Sequence, residues 1–234
     1  MRALLVERAQ VDDRIVAGAA VGGLAAGGGD RWSDLDLTFG VRDDVAVQDV
    51  LADWTDDLAA ELRAVHLFDV QGGAALYRAF LLPGCLQVDL SFAPASHFGA
   101  RGPRFVLLFG EAVELPKEPG ASAAELFGLA VHHALRGRFS IERGRLWQAE
   151  YLIGDVRNLA ISLACLNRGL AVHHGRGADH LPADVRERFV AARIDSLDPD
   201  ALRAALRASI EVLVDEAGEL AAPLDEQLRE LADG

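Results

Sequence analysis

The sequence predicts an α+β fold: a mixed sheet with flanking helices over residues 1–117, then an all-α helical bundle over residues 118–234. Three observations carry this. As far as Phe109, stretches of period two alternate with stretches of helical spacing. At Leu115–Gly120, "LPKEPG", two prolines and a glycine mark a linker. Beyond that point apolar residues recur at helical spacing and strand patterns all but vanish. At 234 residues the chain has room for one large domain or two small ones, and with 51% hydrophobic residues it can bury a real core.

Taken in order, Leu4–Asp13 reads as a short helix and "RIVAGAAVGG" as a buried strand running into a turn. In "SDLDLTFGV", Leu35, Leu37 and Phe39 alternate with Asp34, Asp36 and Thr38, which gives a strand one apolar and one polar face. "DVAVQDVLADWTDDLAAELRAV" has helical spacing, with Asp43 or Asp44 as its expected cap. Strands follow at His66–Val70, Ala75–Leu82, Cys85–Phe92 and "RFVLLFG". In "LQVDLSF", Leu86, Val88 and Leu90 point one way, and Gln87, Asp89 and Ser91 the other. After the linker, "SAAELFGLAVHHALRGRF" is helical. A long helix of roughly 30 residues is expected from Ser140 to Leu170, closed by Gly169. "LPADVRERFVAA", with Pro182 near its first turn, and "DPDALRAALRASIEVLVDEAGEL" complete the bundle.

The formal net charge of −13 leaves no basic footprint for nucleic acid, and its field favours a cationic small molecule. The two cysteines, Cys85 and Cys165, are far apart in apolar runs and read as buried thiols of a reducing compartment. The N-terminus meets charge by Glu7, leaving no apolar signal segment. The longest uncharged run, Ile15–Gly29, has 15 residues, short of a membrane span of about 20. The chain is read as cytoplasmic, with no membrane partner.

Chemistry concentrates in "GGLAAGGGDRWSDLDLTFG". Two aspartates one residue apart on a strand project from one face, close enough to share a divalent cation. Bunched carboxylates repel, and Mg²⁺ relieves that repulsion with hard oxygen ligands. Asp89, in a similar apolar-Asp-apolar setting, is the candidate third ligand. An Asp-x-Asp on a solvated strand face is also a common surface pattern, and the glycines match neither dinucleotide nor P-loop spacing.

The order of these features resembles the polymerase-beta-type nucleotidyltransferase superfamily, in particular its small-molecule branch of aminoglycoside and lincosamide nucleotidyltransferases. The match is Val21-Gly22-Gly23, ten intervening residues, Asp34-Leu35-Asp36-Leu37, and Asp89 within "VDL". It covers roughly Ile15–Phe92, and "WSDLDL" is especially close to the small-molecule form. The family carries serine where this chain has Gly23, and that hydroxyl helps to hold the triphosphate. Backbone N–H groups can bind phosphate without it.

The resemblance implies a Mg²⁺-dependent transfer of a nucleoside monophosphate from a nucleoside triphosphate, ATP first among them, to a hydroxyl of a small molecule such as an aminoglycoside-like antibiotic. Asp34, Asp36 and Asp89 would be metal ligands, with Asp89 alternatively accepting the acceptor's proton. Gly22 and Gly23 would form the phosphate turn, and Gly27–Gly29 a flexible connection. Arg143, Glu150 and Arg157, spaced by seven on the expected long helix, form one stripe. Glu150 is there a candidate general base and the arginines phosphate ligands, or the three make a salt-bridged surface stripe. Tyr151, Asp155 and Asn158 lie on an adjacent face. The pairs His132-His133 and His173-His174 lack the spacing of a helical metal site. Two alternatives stay open: an inactive nucleotide-binding or regulatory relative, favoured by Gly23, and an enzyme that nucleotidylates a protein.

Overall fold

The computed structural model describes residues 1–25, 32–102, 104–116 and 120–233. The chain divides into two compact units, Met1–Glu118 and Pro119–Gly234. The Gly27–Gly29 connection and part of the expected linker lie outside the described residues.

The first unit runs α1 (Arg2–Val11), β1 (Ile15–Val21), a single helical turn α2 (Gly22–Ala25), β2 (Leu35–Val41), α3 (Val47–Leu62), β3 (Val65–Gly72), β4 (Ala75–Leu82), β5 (Leu86–Pro94) and β6 (Phe105–Phe109). These strands form one six-stranded sheet of order β3-β4-β5-β2-β1-β6. The pairing of β2 with β5 is parallel, and the other four pairings are antiparallel. This is the mixed sheet with flanking helices that the alternation predicts.

Period-two patterning decides which face is buried. Leu35, Leu37, Phe39 and Val41 of β2 and Val88, Leu90 and Phe92 of β5 pack against Val50, Leu51, Trp54 and Leu58 of α3 and Leu5 and Ala9 of α1. Phe39, Trp54 and Phe92 meet in a trio with ring centroids 5.2–5.4 Å apart. The Trp54 indole N–H donates to Asp12 Oδ2 at 3.0 Å. Arg14 donates to both oxygens of the same carboxylate, each at 2.9 Å. These bonds hold the Asp12 carboxyl down at about 2, chiefly through Arg14.

The second unit contains α4 (Ala123–Glu142), α5 (Leu146–Asn167), α6 (Ala183–Ala191), α7 (Pro199–Ala217) and α8 (Asp225–Asp233). Its core draws on most of these helices, with Ala134, Ile153, Leu163, Phe189, Leu202 and Leu213 among its members. Ser122 and Glu125 form a capping box at α4, and the Asp198 side chain caps α7 ahead of Pro199. No helix among the described residues is long and apolar enough to cross a membrane.

Three expectations are corrected. The long helix from Ser140 is broken: α4 carries on through Glu142, Gly144 takes φ +66°, and α5 begins at Leu146. The Gly144 N–H bonds back to Ile141 O and the Arg145 N–H to Ser140 O, both at 2.9 Å, so a glycine-stopped helix end separates the two. The cap of α3 is Ala46, with no side-chain bond. Asp43 instead accepts from the Ser96 N–H and hydroxyl, and Asp44 pairs with Arg42. Cys165 is buried, but Cys85 is exposed. With Gly84 it takes positive φ in the turn between β4 and β5, which carries its thiol out of the apolar run.

Candidate metal centre

The parallel pairing of β2 with β5 builds the site. Both strands begin at the same end of the sheet, and the register sets Asp36 directly beside Asp89. Because side chains alternate, both point away from the core face that holds Leu35, Leu37, Val88 and Leu90. Asp34 lies two residues before Asp36, at the mouth of β2, and shares its side. Ligand oxygens of Asp34, Asp36 and Asp89 all lie within 4.8 Å of one another, and all three residues are half-buried. The sequence-predicted triad is thus brought together, across more than fifty residues of chain.

The local environment fits a cation. Three carboxylates within that distance repel one another, and burial followed by the neighbouring Asp34 charge pushes the Asp89 carboxyl above its ordinary range. The donor set is all oxygen, the preference of Mg²⁺ and similar hard cations. Gln87 donates through Nε2 to both oxygens of Asp89, at 3.1 and 2.9 Å. It fixes the carboxylate's orientation and draws down its negative charge. Gln87 is absent from the residues singled out by sequence, although its i, i+2 relation to Asp89 is the signal that reveals it.

Gly22 and Gly23 differ sharply. Gly22 has φ +71°, and a Cβ built on it would stand 1.9 Å from Asp36 Oδ2. The turn after β1 therefore presses its backbone against a triad carboxylate, and only glycine fits there. Around Gly23 a Cβ would meet nothing within 4 Å. The remaining predicted residues belong to the second unit. Glu150 and Arg157 share a face of α5, and Arg157 donates to Asn158 Oδ1 at 3.3 Å. Arg143 is the C-cap of α4, not a member of that helix, with its guanidinium 5.9 Å from the Phe139 ring centre. The predicted stripe of three is therefore a pair. Asp155 faces His133 Nδ1 at 3.3 Å.

No protein-family model and no curated protein matches the chain. Among solved structures it is similar to an aminoglycoside 6-adenyltransferase from Bacillus subtilis, at 9% identity and TM-score 0.38, over 100% of this chain and 98% of that one. It is also similar to a nucleotidyltransferase-like protein from Exiguobacterium sibiricum, at 14% identity and TM-score 0.41, over 98% of this chain and 78% of that one.

Proposed function

We propose that the chain is a divalent-metal-dependent nucleotidyltransferase, which moves a nucleoside monophosphate from a nucleoside triphosphate to a hydroxyl of a small molecule. The observation that carries this reading is the meeting of Asp34, Asp36 and Asp89, from the mouth of β2 and the facing position on β5, within 4.8 Å. Asp34, Asp36 and Asp89 would hold Mg²⁺, and the Gly22-Gly23 turn offers backbone N–H groups to triphosphate oxygens. A divalent cation bound there supplies charge neutralisation of the triphosphate. Asp89, the cluster member on β5, also accepts the proton of the acceptor hydroxyl through one of its carboxylate oxygens. The acceptor oxygen forms a bond to the α-phosphorus. The bond from that phosphorus to the bridging oxygen breaks, and pyrophosphate leaves.

A second reading, nucleotide binding without transfer, is favoured by Gly23 standing where the resembled family has serine. Calorimetric titration with ATP and GTP, with and without Mg²⁺, combined with a labelled-nucleotide transfer assay, separates the two. The enzyme reading expects metal-dependent binding and transfer, both lost in Asp36→Ala. Binding without transfer to any acceptor selects the second reading, nucleotide binding indifferent to Mg²⁺ and to Asp36→Ala sinks the enzyme reading, and no nucleotide binding at all sinks both.

A further inference from the structure

The net charge of −13 favours a cationic acceptor, but the surface beside the carboxylates has a different character. A cleft of about 330 Å³ contains Asp36 and Asp89, and its other walls are largely apolar: Val21, Phe68, Val70, Tyr77 and Ala79 contribute. The sheet register explains why they share one side. Asp36 pairs with Asp89, Asp89 with Ala79, and Ala79 with Phe68; one row along, Ser91 pairs with Tyr77 and Tyr77 with Val70. Phe68 therefore stands two strands from Asp89, about 10 Å across the sheet.

Three of these side chains are not core. Phe68 is 55% exposed, Val70 50% and Tyr77 36%. An apolar patch left open beside reactive groups marks a place where something binds. Among the described residues the cleft's cationic member, Arg78, has its guanidinium committed to Asp69 at 2.7 Å and to the Thr55 hydroxyl at 2.7 Å. Its two acidic residues belong to the metal cluster, and a bound divalent cation offsets most of their charge. Phe68, Val70 and Tyr77 offer a polycation no opposite charge, whereas a flat apolar ring gains contact with all three. The cleft volume lies at the small end of the roughly 300–1,000 Å³ typical of ligand sites.

We infer that this cleft seats the acceptor, and that the acceptor is a hydroxyl-bearing molecule whose body next to the reacting hydroxyl is flat and apolar. The inference rests on the nucleotidyltransferase reading for the role of the carboxylates and adds the class of acceptor. Phe68 and Tyr77 provide the ring faces, and the hydroxyl end lies towards Asp89.

The test uses the full chain, with 2-naphthol and kanamycin as probes and Mn²⁺ as the metal. Ligand-observed NMR should show 2-naphthol binding. Mn²⁺ on the carboxylates should speed the relaxation of its protons, and the effect should vanish in Asp36→Asn. Phe68→Ala and Tyr77→Ala should each weaken 2-naphthol binding at least five-fold while leaving Mn²⁺ affinity unchanged, with partial recovery in Phe68→Leu. Kanamycin should not compete. The inference is overturned if Mn²⁺ binds the carboxylates but 2-naphthol does not bind, binds equally to the variants, or is displaced by kanamycin. Failure of Mn²⁺ to bind the wild-type chain overturns the underlying reading and the acceptor role with it.

Discussion

Gly22→Ala tests how tightly the turn after β1 is coupled to the carboxylate cluster. The new methyl would enter at 1.9 Å from Asp36 Oδ2 and 2.9 Å from its Cγ, on a backbone at φ +71°. A left-handed non-glycine residue costs about 1–2 kcal/mol. The clash itself is relieved when the Asp36 side chain turns away, since its oxygen is the free end of a side chain and the Gly22 backbone is not. Relief therefore transfers the damage from stability to the site. Stability should fall by about 1–2 kcal/mol, which lowers Tm by roughly 2–8 °C for a chain of this size. Mn²⁺ affinity should fall by about 10–100-fold, the usual consequence of disturbing a ligand's support. Gly23→Ala is the control: nothing lies within 4 Å of its Cβ position, so both quantities should stay near wild type. Thermal unfolding and calorimetric Mn²⁺ titration of the three proteins read both effects. Equal Mn²⁺ affinity in Gly22→Ala and wild type would refute the coupling, as would equal behaviour of the two alanine variants.

Asp89→Asn should stabilise the metal-free protein while crippling it. The raised carboxyl means that its ionised form costs the native state at neutral pH, a cost that disappears where the group is protonated. The amide should raise Tm at pH 7 and lower transfer by about 10²–10⁴-fold, read by melting curves and a labelled-nucleotide assay. Asp12 carries the opposite sign. Its carboxyl is lowered from 3.8 to about 2, so its contribution is complete above the unfolded value and is lost as pH falls from about 4 to 2. After allowance for solvent screening this amounts to about 1–2 kcal/mol at pH 7. Denaturant unfolding should show Asp12→Asn less stable by that amount at pH 7, with the gap closing by pH 2. Gly23→Ser restores the hydroxyl of the resembled family in open space, so it should leave Tm unchanged and tighten Mg²⁺-ATP binding by about 2–10-fold, the worth of one hydrogen bond.

The fold was legible chiefly because the sequences of β2 and β5 alternate apolar and polar residues. Leu35, Leu37, Phe39, Val88, Leu90 and Phe92 all reach the core that period two assigns them. The helix break at Gly144 was not, because glycine inside a helical pattern is tolerated as often as it stops one, and the choice is made by the backbone bonds to Ser140 and Ile141. The triad could be named from its residue types, but its proximity depends on the parallel register of β2 and β5, a long-range pairing that no local pattern encodes. Gln87 follows from the same alternation as Asp89. Phe68 and Val70 look like ordinary strand residues in the sequence. Only the edge position of β3 leaves them open, and only the register sets them in line with Asp89.

The central claim is that Asp34, Asp36 and Asp89 form one divalent-cation site. The most direct measurement is an anomalous difference map from crystals of the full chain grown with Mn²⁺ and a non-hydrolysable ATP analogue. The account predicts a peak within about 2.5 Å of an oxygen from each of the three carboxylates, with the analogue's phosphates beside it. A map with Mn²⁺ elsewhere, or with the nucleotide bound away from these residues, would contradict it.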